Sequence, residues 1–186
     1  MSVFEQISSK ACSASKYALA MSLFSLVPLD TSGDVLVKGM HIGMHIEQAR
    51  VQAVTRIGDI TTLSEIQPLA GGRSFFTING EAGRIVANER ERVEHIFISA
   101  PLAKILFGIA HLSKEHFAYL LGDLWGIEQS SWKERIEINN ALEGVPLRSH
   151  IECYLPQQHV SISISQNNDL SISGIDIETI RRNIER

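Results

Sequence analysis

The chain is poor in the features that usually declare a chemistry. Only two cysteines, Cys12 and Cys153, occur in 186 residues, and neither belongs to a CxxC pair. Two thiols cannot staple a domain of this size. That excludes a disulfide-framework protein and reads as the reduced thiols of a cytosolic one, with a single bridge between them left open by the sequence. Charge of one sign is concentrated nowhere: residues 1–99 carry nine Lys/Arg against ten Asp/Glu, and residues 100–186 carry eight against eleven. With a net charge of −4 and a pI near 6.0, the chain has no global attraction for phosphate backbones or anionic lipid. Neither nucleic acid nor a membrane surface is therefore indicated as partner. No apolar run reaches the roughly 20 residues of a spanning helix. The most apolar stretch, ACSASKYALAMSLFSLVPL, is interrupted by Lys16, closed by Pro28 and preceded by no basic segment. A soluble, unexported, cytoplasmic protein is expected.

Catalytic motifs are equally scarce. The paired Gly71–Gly72 of LAGGRSFF lack the spacing of a phosphate-cradling loop and the Lys-Ser/Thr that would follow it, and no GxSxG occurs. The sharpest local feature is a repeat, Met-His-Ile at 40–42 and again at 44–46, which sets His41 and His45 four positions apart. On a helix the two imidazoles could share one ion. On a strand they lie about 13 Å apart, too far for a single zinc. His111 and His116 are five apart, an offset of about 140° on a helix. Cys153 has His150 and His159 nearby, but strand alternation puts His150 on the opposite face and leaves Cys153 with Ile151 on the inward side, as a buried structural thiol. No catalytic, cofactor-binding or metal-ligating residue is assigned, and no cofactor is expected.

What is present is hydrophobic periodicity. Phe4, Ile7, Ala11, Ala14, Ala18 and Met21 recur at helical spacing, predicting an N-terminal helix with a small-residue seam. Asp30, Ser32, Gly33 and Asp34 separate two aliphatic runs in the manner of a hairpin. From Leu36 to Glu47 strict alternation predicts a strand. Ile46, Ala49, Ala53 and Ile57 keep helical spacing, so a helix competes from Ile46, but the strand is the reading adopted. A hairpin follows at Asn79–Gly80, and a strand at His95–Ser99. Ser99 with Pro101 opens a helix, Ser113 opens a second, and Ser131-Trp-Lys-Glu134 matches a capping box for a third that ends at Gly144. Beyond it, alternating segments, with Ile162 and Ile164 inward and Ser161, Ser163 and Ser165 outward, predict a β-meander with one wet face. Asp176 can cap a short terminal helix.

The expected fold is α+β: antiparallel sheet with an N-terminal helix, a central cluster of about three helices, and a C-terminal β-meander with a short terminal helix. A single domain over 1–186 is expected, with a subdivision at 1–99 and 100–186 open. The leading functional expectation is a small non-catalytic binding or adaptor protein, an assembly component or chaperone-like. It would work through protein partners and form a homo-oligomer through the helix seam or an uncovered sheet edge. Ala11, Ala14, Ala18, Met21, Trp125 and Trp132 are the candidate interface residues. A competing reading makes residues 113–175 a winged helix-turn-helix of a transcriptional regulator, although Glu134, Glu137 and Glu143 on the would-be reading helix oppose it. A third is a metal- or thiol-dependent enzyme using His41/His45 or Cys153.

Overall fold

A computed structural model describes residues 35–108, 113–139 and 145–175, which belong to a compact unit beginning at Gly33. The predicted N-terminal helix, the hairpin at 30–34 and the terminal helix after Asp176 lie outside the described residues. Three helices are described: α1 (Ile46–Ile57), α2 (Ala100–Phe107) and α3 (Lys114–Trp125). They accompany eight strands: β1 (Gln67–Pro68), β2 (Ser74–Ile78), β3 (Gly83–Ala87), β4 (Val93–Ile98), β5 (Trp132–Asn139), β6 (Val145–Leu155), β7 (Val160–Ser165) and β8 (Leu170–Gly174). All eight form one antiparallel sheet in the order β1-β2-β3-β4-β8-β7-β6-β5. Two four-strand meanders follow one another, the first after helix α1 and the second after helices α2 and α3. The last strands of the two meanders pair with each other in the middle of the sheet.

The register explains the core. Phe76, Ile85, Ile96, Ile172, Ile162, Cys153 and Trp132 stand side by side across seven strands. A second row on the same face runs Ile78, Gly83, Ile98, Leu170, Ile164, Ile151. These rows are buried except for half-buried Trp132, and they join Ala49, Ala53 and Ile57 of α1, Leu102 and Leu106 of α2 and Phe117 and Leu121 of α3 in one hydrophobic cluster. Each aliphatic side chain fully buried there contributes about 1.5–3 kcal/mol. The opposite face carries Val86, His95, Ser173, Ser161 and Tyr154 in register, all half-buried. It is the wet side that the Ser/Ile alternation predicted.

Helix α2 follows Ser99, with Pro101 in its first turn, and stops at Gly108 (φ 70°); the Ser99 hydroxyl makes no cap bond, and the Ala100 N–H donates to the Asp169 carboxylate at 2.8 Å instead. Helix α3 begins at Ser113, whose hydroxyl accepts from the His116 N–H, and stops at Gly126 (φ 66°). Left-handed glycines end both, as the C-terminal glycine rule requires. Phe107 meets the rings of Phe117 and Trp125 edge-on, at 5.8 and 6.4 Å, which joins the two helices.

Two expectations are corrected. The strand over 36–47 is not formed. Lys38, Gly39 and Gly43 have positive φ (50°, 85° and 85°), which no extended ladder accommodates. Val37 and Met40 exchange backbone hydrogen bonds across a tight turn, and α1 takes over at Ile46. The Gly-Met-His-Ile repeat is thus a repeated turn: both glycines sit at φ 85°, and both following methionines are buried. The third central helix is likewise not formed among the described residues. Residues 132–139 are strand, because Trp132, Glu134, Ile136 and Ile138 alternate with Lys133, Arg135 and Glu137 and β6 offers them a ladder. With two described α-helices between the meanders, a cluster of three is not supported.

A Cβ on Gly83 would lie 2.7 Å from Leu102 Cδ2 and 3.1 Å from Ile78 Cβ. Gly83→Val is therefore expected to lower stability by about 1–3 kcal/mol through overpacking. Ser163→Thr on the wet face should stay within about 0.5 kcal/mol of the parent. Urea denaturation of the two variants against the parent measures both.

Candidate functional site

The two edges of the sheet differ in kind. β1 is two residues long and ends in Pro68, which has no N–H to offer. β5 runs for eight residues without proline, and among the described residues nothing pairs with its outer side. Lys133, Glu134, Arg135 and Ile136 are all exposed, Ile136 by 55%. A row of backbone donors and acceptors on an eight-residue edge is a template for another strand, and such a row rarely stays uncovered without a purpose.

The far end of β5 is a projecting arm. β6 pairs with β7 only from His150 to Leu155, whereas β5 continues along β6 to Val145. Residues 136–139 and 145–149 therefore form a two-stranded extension beyond β7. Pro146 is tolerated in β6 because it lies in this extension, where β6 has one neighbour instead of two. The bulge in the pair falls between Glu137 and Ile138, and its extra residue, at position 147, belongs to β6, so β5 itself is regular.

Helix α3 sits beside this edge. A cleft of about 210 Å³ opens between Glu115, Ala118 and Tyr119 of α3, Trp132 and Glu134 of β5, and Ile151 below. Lys114 secures its rim: Nζ donates to Glu134 and to the Ser149 hydroxyl, each at 2.6 Å, with only 11% of the side chain exposed. The Ser113 hydroxyl holds the Glu115 carboxyl below its ordinary pKa, assisted by the backbone and by Lys114. Tyr119 accepts a hydrogen bond from Gln129. The Trp132 indole N–H is buried without an acceptor, close against Gly122. The cleft therefore has an apolar floor and a carboxylate rim, and it adjoins the free edge. On α3, Leu120 and Leu124 are exposed, Leu124 by 59%.

The residues singled out from sequence fall as follows. Trp125 is a core residue, its indole N–H donating to the Leu36 carbonyl at 3.0 Å, so it presents no surface to a partner. Trp132 is half-buried in the cleft wall. Ala11, Ala14, Ala18 and Met21 lie outside the described residues, as do Cys12 and His111. His41 Nδ1 donates to the Ile42 carbonyl at 2.9 Å. His45 caps α1 by accepting from the Glu47 N–H, and its Nε2 lies 2.8 Å from Glu91. Among the described residues no three His, Cys, Asp or Glu side chains gather as a metal site. Cys153 is buried, and burial pushes its thiol up to about 11, the reverse of an activated nucleophile. The would-be reading helix of a helix-turn-helix is strand β5, so residues 113–145 do not form that motif. No described helix is long and apolar enough to cross a membrane.

Sequence reasoning missed Tyr119, Leu124 and Ile136 as surface residues and β5 as an edge. The alternation of Trp132, Glu134 and Ile136 was the available signal, and the capping-box match masked it. Comparison of the chain with protein-family models, with curated proteins and with solved structures finds no match in any of the three.

Two expectations follow from burial. Cys153 should resist iodoacetamide at pH 8 in the folded protein and react fully in urea, as mapped by peptide mass. His95, bonded to Ser171 at 2.9 Å on the wet face, has its pKa lowered from 6.5 by burial, with Glu94 opposing. A lowered folded-state pKa means protonation favours the unfolded chain. The contribution is therefore complete above 6.5 and is lost as pH falls through the lowered folded value. In His95→Gln the urea midpoint should vary less between pH 7 and 5 than in the parent.

Proposed function

We propose that this protein is a non-catalytic binding or adaptor protein, an assembly component or chaperone-like, that works in the cytoplasm through protein–protein contacts. The open edge of β5 is its principal contact. The observation that carries this reading is the asymmetry of the sheet: one edge is two residues long and closed by Pro68, while the other offers eight regular residues beside exposed Ile136. Strand addition to such an edge uses backbone hydrogen bonds for affinity and the neighbouring side-chain cleft for selection. The cleft between α3 and β5 suits that second task, with the Trp132 ring and Ile151 below and Glu115 and Glu134 at the rim. The seam at Ala11, Ala14, Ala18 and Met21 is a second contact, proposed on sequence spacing alone.

The test is retention of partners from the native host on the tagged full-length chain at moderate salt, read by mass spectrometry. A stoichiometric protein partner is expected, with retention falling tenfold or more in Ile136→Glu and unchanged in Val51→Glu, which lies on the exposed side of α1. Ala14→Glu with Ala18→Glu tests the seam separately. Retention of nucleic acid alone, of nothing, or of a partner indifferent to Ile136→Glu would overturn the edge as the contact.

A further inference from the structure

We infer that the occupant of the β5 edge is a second copy of this chain, paired antiparallel with the first about a two-fold axis at Ile136. This deepens the reading of β5 as the contact edge and rests on it. The pairing joins two eight-stranded sheets into one continuous sheet.

Symmetry restricts the register sharply. In an antiparallel pair, residues directly opposite share a face of the sheet, so a two-fold axis normal to the sheet must pass through a residue that faces its own copy. Within Trp132–Asn139, only centres at Arg135 and Ile136 engage all but one residue of the strand. A centre at Arg135 sets two guanidinium groups against each other, and shifting to Glu134 or Glu137 shortens the pairing and opposes two carboxylates. Like charges directly opposite are destabilising. A centre at Ile136 sets Arg135 opposite Glu137 of the second copy, twice by symmetry, with Lys133 opposite Asn139. It also brings together the two Ile136 side chains, each 55% exposed in one copy.

Ile136 lies on the same face of β5 as Trp132 and Glu134, whose β6 partners Cys153 and Ile151 are in the core. The apolar contact across the axis therefore continues the covered face of the sheet instead of its wet face. Among the described residues no strand pairs with the outer side of β5, so the backbone groups of that edge are available to a second copy. Association through strand edges stops at two copies. Once the β5 edges are consumed, the outer edges of the joined sheet are both β1, two residues ending in Pro68, which cannot extend the ladder.

The experiment uses the full chain in a Cys12→Ser background, so that the only other thiol is the buried Cys153. Facing Cα atoms in an antiparallel pair lie about 4.5–5.5 Å apart, within the span of a disulfide. Ile136→Cys treated with diamide, which takes up the two electrons and two protons released by the paired thiols, should give a covalent dimer. Lys133→Cys, facing Asn139, should give none. Sedimentation equilibrium on the chain with native cysteines should show twice the 20.6 kDa of one copy. Association should weaken tenfold or more in Arg135→Glu and in Glu137→Arg, and be restored when both changes are made in one chain. Because the double variant carries both substitutions, its recovery excludes misfolding as the cause. An Ile136→Cys chain that stays single under diamide, or single variants that associate as tightly as the parent, overturns the inference. A single-copy chain that still loses a heterologous partner on Ile136→Glu overturns this inference while sustaining the edge as the contact. A covalent dimer that retains no other protein sustains this inference and overturns the adaptor role.

Discussion

The pairing of β4 with β8 is the interaction on which the rest of the structure depends. His95, Ile96, Phe97 and Ile98 face Ser173, Ile172, Ser171 and Leu170, and through these four pairs two separate meanders become one sheet. The register there decides which side chains share a face across all the other strands. A slip of one residue would turn one whole meander over, sending Ile172, Ile162 and Cys153 to water and Ser171 and Ser163 to the core. Ile96 and Ile172, each fully buried, make the correct register costly to leave, and the His95–Ser171 hydrogen bond marks it from the wet side. The same pairing makes β5 an edge. Because the second meander docks its last strand inward, its first strand is left outermost.

Elements whose signals are local were legible in the sequence. Helices α2 and α3 carry a serine at the start and a glycine at the end, and β7 and β8 alternate isoleucine or leucine with serine so regularly that face and turn could both be read. Two segments defeated that reading for different reasons. Residues 36–45 alternate like a strand, but Gly39 and Gly43 are free to take φ 85°, and they fold the chain into two turns that bury Met40 and Met44. At Gly39 an added Cβ would lie 2.7 Å from Gln52 Oε1, so α1 packs where a side chain would otherwise be. In residues 132–139 Trp132, Ile136 and Ile138 share their parity with Glu134, and long charged side chains serve a helix surface and a strand edge equally well. A serine three residues before a glutamate resembles a helix start whether or not a helix follows. The edge itself was not legible at all, since which strand ends a sheet is a property of the whole register and not of the strand.

The electrostatics beside that edge show how a local liability is contained. Lys114 occupies the first turn of α3, where the helix dipole disfavours a cation. Glu134 and Ser149 reach it from β5 and β6, with Glu115 at 4.0 Å on its other side. The ammonium is largely withdrawn from water, so these contacts are stronger than a surface pair of the same geometry. The consequence is mechanical: the start of α3 is tied to the hairpin, and the cleft between them keeps its shape without a ligand. Preorganisation of this kind reduces the entropy lost when a partner docks.

The succession of the two meanders also sets a timetable for synthesis. The first meander is complete when Ile98 has left the ribosome, but Leu170, its partner in β8, follows roughly 4–14 s later at about 5–20 residues per second. Through that interval Val93–Ile98 is paired with β3 on one side only and is an open edge with the sequence VEHIFI, more apolar than the edge the finished protein shows. The nascent chain is thus most vulnerable to mispairing at the middle of its future sheet. That vulnerability ends only when Leu170–Gly174 has emerged.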